Sequence, residues 1–371
     1  MFLKTSQVPC RRGFPAGILL ILCAGILLSA PTVPFGEQSL PERISDKEFW
    51  VMSVVFSEPE GYFRSDNLLS NEISMQQVIP DLLKRTRPGS VYMGVGPEQN
   101  FTYIAALKPK MAFITDIRRG NTHTHLMYKA LFELSKDRAD FVSRLFTRTR
   151  PKGLGVKSTV QEIFKAFNRV AGGDETAFRK NLKTIRDHLV QKHKLPLNTE
   201  DLEGIEYVYR SFYTFGPAIH YSSTSQRSGR GGGSSATYAD LMTQTDGNGV
   251  SRSFLANEEN YQVVKELQEK NLLIPIVGDF SGPLAIRLIG NYLKERNAIV
   301  AAFYLSNVEQ YLGDAWWNFC YNVSRLPLDE KSTFIRSGSN PNSGGRGSGG
   351  GGLANALGNM LAETRGCGGN Q

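Results

Sequence analysis

The chain has 371 residues, of which 40% are hydrophobic, so it can bury the core of one large domain or of two smaller ones. Its formal net charge is +8, but Lys4, Arg11 and Arg12 lie near the N-terminus and the remaining charge is diffuse. No stripe of Lys and Arg alternates with aromatic residues, so a basic nucleic-acid-binding surface is excluded and no nucleic-acid partner is expected. The cysteines show neither the spacing of a metal site nor the density of a disulfide framework.

Residues 1–35 read as an export segment. Basic residues precede an apolar run, Ala16–Ala30, which is shorter than the roughly 20 residues of a bilayer span and suits a signal peptide. Pro31 after Ala30 disfavours cleavage there, so an uncleaved N-terminal membrane anchor is the second interpretation. Both predict an exported or membrane-anchored, extracytoplasmic (periplasmic) domain. An anchor whose domain faces the cytoplasm is the alternative, and membrane contact is expected only through this segment, if it is uncleaved.

From residue 36 to residue 336, apolar strand-like runs alternate with helical patterns, which predicts an α/β domain with a mostly parallel sheet. The predicted strands are Val91–Gly94, Met111–Thr115, Leu272–Val277, Ala298–Leu305 and Ser332–Arg336. The alternation stops over residues 136–257, where helical spacing and a Gly/Ser-rich stretch predict a helical and loop insertion. Residues 337–371 are rich in Gly and Ser and predict a disordered tail.

The most informative local pattern is Gly94-Val95-Gly96 after an apolar strand. Glycines allow a sharp turn, and the free N–H groups of the following helix can contact the polar end of a ligand. Asp116 stands at the end of the next strand, where a carboxylate can accept hydrogen bonds from a ribose diol. An ordinary tight turn followed by a solvated Asp is the alternative interpretation.

A second acidic residue follows the strand in "LLIPIVGDF". There, Asp279 can accept a hydrogen bond from the amino group of an adenine, and Phe280 can pack on the base. The competing interpretation is an Asp that caps the helix beginning near Pro283.

The order of "VYMGVGPE", "MAFITD", "IPIVGDFSG" and "AIVAAFYLSN" resembles motifs I to IV of the class I S-adenosylmethionine-dependent methyltransferases. The wider text "GVGPEQNFTYIAALKPKMAFITDIRR" is similar to a family of uncharacterised bacterial proteins with the same frame. The resemblance covers about residues 58–336. It implies a Rossmann-like sheet with helices on both faces and S-adenosylmethionine as cofactor. By the same resemblance Gly94 and Gly96 would face the methionine part, Asp116 the ribose and Asp279 the adenine, while Ser306 and Asn307 would face the substrate.

Three departures from that pattern affect these expectations. Glu98 replaces the usual third glycine, and its carboxylate could either repel the methionine carboxylate or pair with the methionine amino group. The fourth strand lacks the Asn-Pro-Pro-Tyr type of motif that marks amino-methylating enzymes acting on nucleic acid. Too little predicted structure follows Arg336 for the usual sixth and seventh strands, so we expect about five strands.

Other residues are candidates by composition. The loop "SEPEGYFRSDNLLSNE" could fold over the cofactor with Arg64 near its carboxylate, or could only cap its own turns. Tyr213, His220 and Tyr221 could contact substrate, although aromatic core packing explains them at least as well. His123 and His125 lack further identifiable ligands, so no metal site is predicted.

Two functions fit these patterns. The first is a methyltransferase, whose catalysis is mainly positioning and needs no universal base, so no catalytic residue can be named. The second is an exported, non-catalytic binding protein that keeps the fold, which the N-terminal segment favours. A nicotinamide dehydrogenase ranks third, because it would require a fuller GxGxxG. Only the first of these functions makes the chain an enzyme, and the sequence does not specify its methyl acceptor.

Overall fold

The fold is built on a six-stranded sheet with strand order β3-β2-β1-β4-β5-β6. In the computed structural model, which describes residues 39–221, 223–224, 236–337 and 355–368, strands β1 to β5 are parallel and β6 pairs antiparallel with β5. The strands are β1 (Val91–Gly94), β2 (Met111–Asp116), β3 (Leu273–Val277), β4 (Val300–Ser306), β5 (Thr333–Ser337) and β6 (Asn355–Asn359).

Strands β1, β2 and β3 form because their residues are mostly apolar on both faces. Every residue of β1, β2 and β3 is buried, as expected for parallel strands covered by helices. Pro275 lies within β3, and it is tolerated because β3 is an edge strand. The α/β class and the mostly parallel sheet predicted from the sequence are therefore confirmed.

The expected strand count was too low by one. Five strands match the predicted runs to within about two residues, which is the usual uncertainty of element ends. The sixth, with the sequence NALGN, lies inside the segment predicted as a disordered tail. It lacks the β-branched and aromatic residues that mark strands in a sequence, and its pairing with β5 supplies the order instead.

Helices connect and cover the strands. Before β3 the helices are α1 (Asp46–Val55), α2 (Ile79–Arg85), α3 (Gln99–Leu107), α4 (Arg119–Leu134), α5 (Arg138–Leu145), α6 (Val160–Phe167), α7 (Glu175–Asp187), α8 (Thr199–Phe215), α9 (Tyr238–Thr243) and α10 (Glu258–Glu269). After β3 they are α11 (Ala285–Lys294), α12 (Glu309–Leu312), α13 (Trp316–Ser324) and α14 (Met360–Thr364). A π-helical turn, His188–Lys192, extends α7. No helix among the described residues is long and apolar enough to cross a membrane.

The region predicted as an insertion, residues 136–257, contains α5 to α9. Its helices begin at side-chain caps, and Thr159, Asn198 and Thr237 each form a capping box. The region packs on α4 through aromatic rings: Phe132 of α4 lies 4.6 Å from Phe141 of α5, measured between ring centroids. Because these rings are buried together, the insertion shares the core of the α/β domain and lies in the same compact unit, Glu37–Gln371.

The C-terminal residues correct two expectations. Residues 355–368 form β6 and α14, so this part of the predicted disordered tail is ordered. Cys320 of α13 and Cys367 form a disulfide across 47 residues, although the cysteine spacing predicted no disulfide. The N-terminal segment 1–35 and residues 338–354 of the tail lie outside the described residues.

Candidate functional site

A cleft of about 510 Å³ opens beside the carboxyl ends of β1, β2, β3 and β4. The strand order reverses at this position, because β2 lies on one side of β1 in the sheet and β4 lies on the other. Its volume falls within the range of about 300–1,000 Å³ that is typical of small-molecule sites. Of the residues predicted to bind ligand, those that line the cleft are Gly96, Asp116, Asp279, Phe280, Ser306 and Asn307.

The β1–α3 turn forms the first wall. Gly96 has a φ of +77°, which strongly favours glycine, and it lines the cleft. Gly94 does not line it: a Cβ there would lie 1.9 Å from Oδ1 of Asn100. The Asn100 amide donates hydrogen bonds to the carbonyls of Val95, Gly96 and Pro97. Gly94 therefore gives Asn100 the space to hold the turn.

Glu98 lies behind this turn, away from the cleft lining. Its Oε1 accepts a hydrogen bond from the Ser70 N–H at 3.1 Å, and Oε2 has no partner among the described residues. Burial raises the pKa of Glu98 to about 8, so the carboxyl is neutral at neutral pH. Glu98 does not line the cleft, so this position supports neither of the two roles considered from the sequence, which were repulsion of the methionine carboxylate and pairing with the methionine amino group.

His125 supports the same turn from α4. Its Nε2 lies 2.9 Å from the Gly96 carbonyl, to which it donates a hydrogen bond. Burial lowers the pKa of His125 to about 4, so the ring is neutral at neutral pH. His123 lies nearby in sequence but forms a separate contact, 3.0 Å from Oδ1 of Asp201 on α8. The two histidines of "NTHTH" therefore support structure at different places.

Asp116 and Arg118 form the second wall. Arg118 donates from Nε to Oδ1 of Asp116 at 3.0 Å and from Nη2 to Oδ2 at 2.8 Å, and its backbone N–H also contacts Oδ1. Its Nη1 donates to the carbonyls of Ser65 and Asp66. Arg118 thereby orients the carboxylate and joins it to the loop above, while Oδ2 keeps acceptor capacity for a ligand.

Asp279 and Phe280 form the third wall. Oδ1 of Asp279 accepts hydrogen bonds from the N–H and Oγ of Ser281, both at 2.8 Å, and Oδ2 has no partner among the described residues. Glu58 holds this loop by accepting from the N–H groups of Asp279 and Leu284. Phe280 stacks on the buried Phe303 with centroids 5.8 Å apart, so part of its ring belongs to the core.

The fourth wall follows β4. Ser306 has a φ of +51°, and its Oγ donates to Oε1 of Glu72 at 2.6 Å. The same oxygen accepts from the hydroxyl of Tyr304, and Oε2 accepts from the Asn355 amide at 2.8 Å. Glu72 and Ser306 line the cleft, so a buried carboxylate lies at the side where Ser306 and Asn307 were predicted to face substrate.

The loop before α2 forms the roof of the cleft. Tyr62, Phe63 and Asn67 line it, and the Gly61 N–H donates to the Ile117 carbonyl at 2.8 Å. The sequence hypothesis that this segment covers the ligand site fits this position. Arg64, however, is exposed and does not line the cleft, and Arg118 is the cation that does.

Two substrate candidates lie elsewhere. Tyr213 packs on Phe178 with ring centroids 4.8 Å apart, in the helical region. His220 forms an isolated bridge with Thr237, and neither residue lines the cleft. Tyr221, the third aromatic or histidine candidate of the same segment, does line the cleft.

Several residues that line the cleft or support its walls were not predicted from the sequence. Glu72 stands in the quoted roof loop without a distinguishing motif, and Asn355 lies in the segment taken as a tail. Asn100 follows the glycine turn within one helical turn, which is a signal that could have identified its role. Arg118 follows β2 without a motif that marks its role, because its pairing with Asp116 depends on rotamer and loop position.

Comparison with known proteins provides a family but no activity. A family model described as "Domain of unknown function (DUF7790)" matches residues 68–202 and 223–347, which together are more than half of the chain. No curated protein matches the sequence. The match includes the residues of the four walls except for Glu58, Ser65, Asp66 and Asn355.

Proposed function

The chain belongs to the DUF7790 family, a domain of unknown function, and from its cleft we propose that it is an S-adenosylmethionine-dependent, methyltransferase-like protein. The observation that carries the proposal is the meeting of Gly96, Asp116 and Asp279 in one cleft of suitable volume. These residues come from three different strand ends, and the resemblance stated above assigns them to three parts of one ligand.

The strand order supports a Rossmann-like interpretation of the fold. The order 3-2-1-4-5-6 is that of doubly wound nucleotide-binding sheets, which bind ligands outside the carboxyl ends of their strands where the order reverses. Right-handed crossovers in such an order place helices on both faces of the sheet. The antiparallel β6 departs from the fully parallel arrangement, but it lies at the edge farthest from β3.

The chemical groups of the cleft suit an adenosine ligand. Oδ2 of Asp116 can accept from a ribose hydroxyl, and Oδ2 of Asp279 can accept from an adenine amino group. The Gly96 turn and the N-terminus of α3 suit the polar amino-acid end. When bound, S-adenosylmethionine supplies an activated methyl group to a nucleophile. The chain's own contribution would be to position that nucleophile, with Glu72 and Ser306 at the acceptor side.

The second candidate is an exported, non-catalytic nucleoside-binding protein, and the Cys320–Cys367 disulfide favours it. Structural disulfides persist mainly in oxidising compartments outside the cytoplasm, where S-adenosylmethionine is not expected. Extracytoplasmic location and, if the leader is uncleaved, membrane contact through residues 1–35 are part of this proposal.

Calorimetric titration of the full-length chain with S-adenosylmethionine, S-adenosylhomocysteine and adenosine tests both candidates. We expect micromolar binding, weakened in Asp116→Ala by about 1 to 3 kcal/mol, or roughly 5- to 150-fold in Kd. Asp81→Ala, which removes an exposed carboxylate outside the cleft lining, is the matched control and should bind like wild type. Asp116→Asn, which retains two polar atoms beside Arg118, controls for local unfolding.

The results of these titrations distinguish the methyltransferase-like protein from the non-catalytic binding protein. No binding of any of the three ligands at millimolar concentration would overturn the nucleoside site. Adenosine binding as tight as that of S-adenosylmethionine would favour the binding protein, because the sulfonium and amino-acid end would then contribute nothing. Equal affinity of wild type and Asp116→Ala would remove Asp116 from the site.

A further inference from the structure

A second cluster of chemically active side chains lies outside the cleft lining. Oε2 of Glu133, at the end of α4, lies 2.9 Å from Nε2 of His188 and 2.7 Å from Nε2 of His193. These three donor atoms all lie within 4.8 Å of one another. The side chains of Glu133 and His193 are buried, and His193 also lines a separate cavity of about 480 Å³.

An unusual backbone conformation brings the two histidines together. His188 and His193 are five positions apart, and the His193 N–H donates to the His188 carbonyl at 3.2 Å, as in a π-helix. An α-helix would place residues four apart, not five, on one side. The π-helical turn instead sets the two rings 5.1 Å apart, measured between centroids, on the same carboxylate. Single π-helical turns occur frequently at functional sites.

We propose that Glu133, His188 and His193 bind a divalent transition-metal ion of the zinc class. Two imidazoles and one carboxylate are a ligand set that suits zinc and leaves one coordination position open. Donor atoms of a tetrahedral zinc site lie about 3.3 Å apart, as follows from metal–ligand distances of about 2.0 Å. The observed hydrogen-bond distances need to open by only about 0.5 Å when a metal replaces the shared protons.

The surrounding groups form the outer shell that such a site requires. Nδ1 of His193 lies 2.6 Å from Oδ1 of Asp46, a carboxylate–histidine pair that leaves Nε2 for the metal. Lys129 lies 2.7 Å from the other oxygen, Oε1 of Glu133, and also donates to the Gln268 carbonyl and to Asn271. The Glu133 carboxylate is therefore in contact with the basic side chains of His188, His193 and Lys129.

Lys192 is the competitor for the metal. Its Nζ lies 2.9 Å from Oε2 of Glu133 and 3.4 Å from Nε2 of His188, so it stands where a cation is attracted. Its side chain is 59% exposed, so it can move into solvent when a metal binds. Lys129, Lys192, Asp46, Glu133 and the two histidines are the charged or titratable groups that the structure places in contact with the cluster.

Zinc and cobalt titrations of the full-length chain, purified without a polyhistidine tag, test the site. The variants are made in a Cys10→Ser, Cys23→Ser background so that leader thiols do not bind zinc. We expect one zinc equivalent in competition with a chromophoric chelator. His188→Gln and His193→Gln should each lower the affinity at least tenfold, and Asp46→Asn should lower it by about 10- to 100-fold. Lys192→Gln should raise it, and His220→Gln, outside the cluster, should leave it unchanged.

Two further measurements test the site, the visible absorption of bound Co²⁺ and the circular dichroism of the metal-free proteins. The visible spectrum of bound Co²⁺ should appear in wild type and vanish in the His188→Gln, His193→Gln double variant. Circular dichroism of the metal-free proteins checks that each variant is folded. No binding at micromolar zinc, or the same stoichiometry and affinity in the double variant, would overturn the site. Tighter binding in Lys192→Gln is an outcome that a merely structural hydrogen-bond cluster would not produce.

Discussion

Glu98 is a buried carboxyl group that is protonated at neutral pH in the folded protein. Its pKa is about 8 in the folded protein against 4.5 for an ordinary Glu, because burial disfavours the charged form. Between these values the folded state binds more protons than the unfolded state, so this group makes stability fall as the pH rises. The fall begins near the unfolded pKa and is complete above the folded one.

Glu98→Gln should remove that contribution. We expect the free energy of unfolding of the variant, relative to wild type, to increase by a few kcal/mol between about pH 5 and about pH 8.5, at about 1.4 kcal/mol per pKa unit. Urea denaturation at both pH values measures it. Glu203→Gln, which replaces an exposed glutamate on α8, is the control. A relative stability that does not change with pH would contradict the protonated state.

For single residues, the sequence predicted which residues line the cleft better than it predicted which side chains contact each other. Gly96, Asp116 and Asp279 could be identified because each follows a recognisable strand end, and all three line the cleft. Arg118 and Glu72 could not be assigned, because their roles depend on partners such as Ser65 and Asn355 from distant parts of the chain. The same limit hid the cluster at Glu133, where residues 55 and 60 positions away in sequence meet one carboxylate.

Among the secondary-structure elements, the buried parallel strands were the most predictable. Their apolar runs end at Gly or Asp, and long helices such as α4 and α10 follow from their spacing of apolar residues. β6 was missed because NALGN carries little strand propensity, and the π-helical turn at His188 has no sequence signature. Both elements depend on tertiary contacts rather than on local preference.

The disulfide should stabilise β6 and α14 together with α13. A double variant, Cys320→Ser, Cys367→Ser, releases a loop of 47 residues and should lower the free energy of unfolding by about 2 to 4 kcal/mol. Urea denaturation with and without reductant measures the effect. Reductant should destabilise wild type and leave the double variant unchanged. Equal stability of wild type under both conditions would show that the bond contributes nothing.

For the whole molecule, the redox state of the disulfide tests the proposed export of the domain. If the protein is exported, Cys320 and Cys367 should be oxidised in intact cells. Alkylation during denaturing lysis, followed by reduction and a second, heavier alkylating reagent, measures this by mass spectrometry. We expect both cysteines to carry the second reagent. Modification of both by the first reagent would place the domain in a reducing compartment and favour the cytoplasm-facing anchor.

The position of Asn355 has a consequence for the order in which the protein matures. Glu72 in the roof loop receives a hydrogen bond from Asn355, which belongs to the last strand, and the disulfide at Cys367 follows that strand. A ribosome makes the roof loop 283 residues before Asn355, so the nascent chain carries an unfinished fourth wall until β6 has been made. If the domain is translocated, the fourth wall closes only after β6 has crossed the membrane. Ligand binding would then be a property of the fully translocated protein alone.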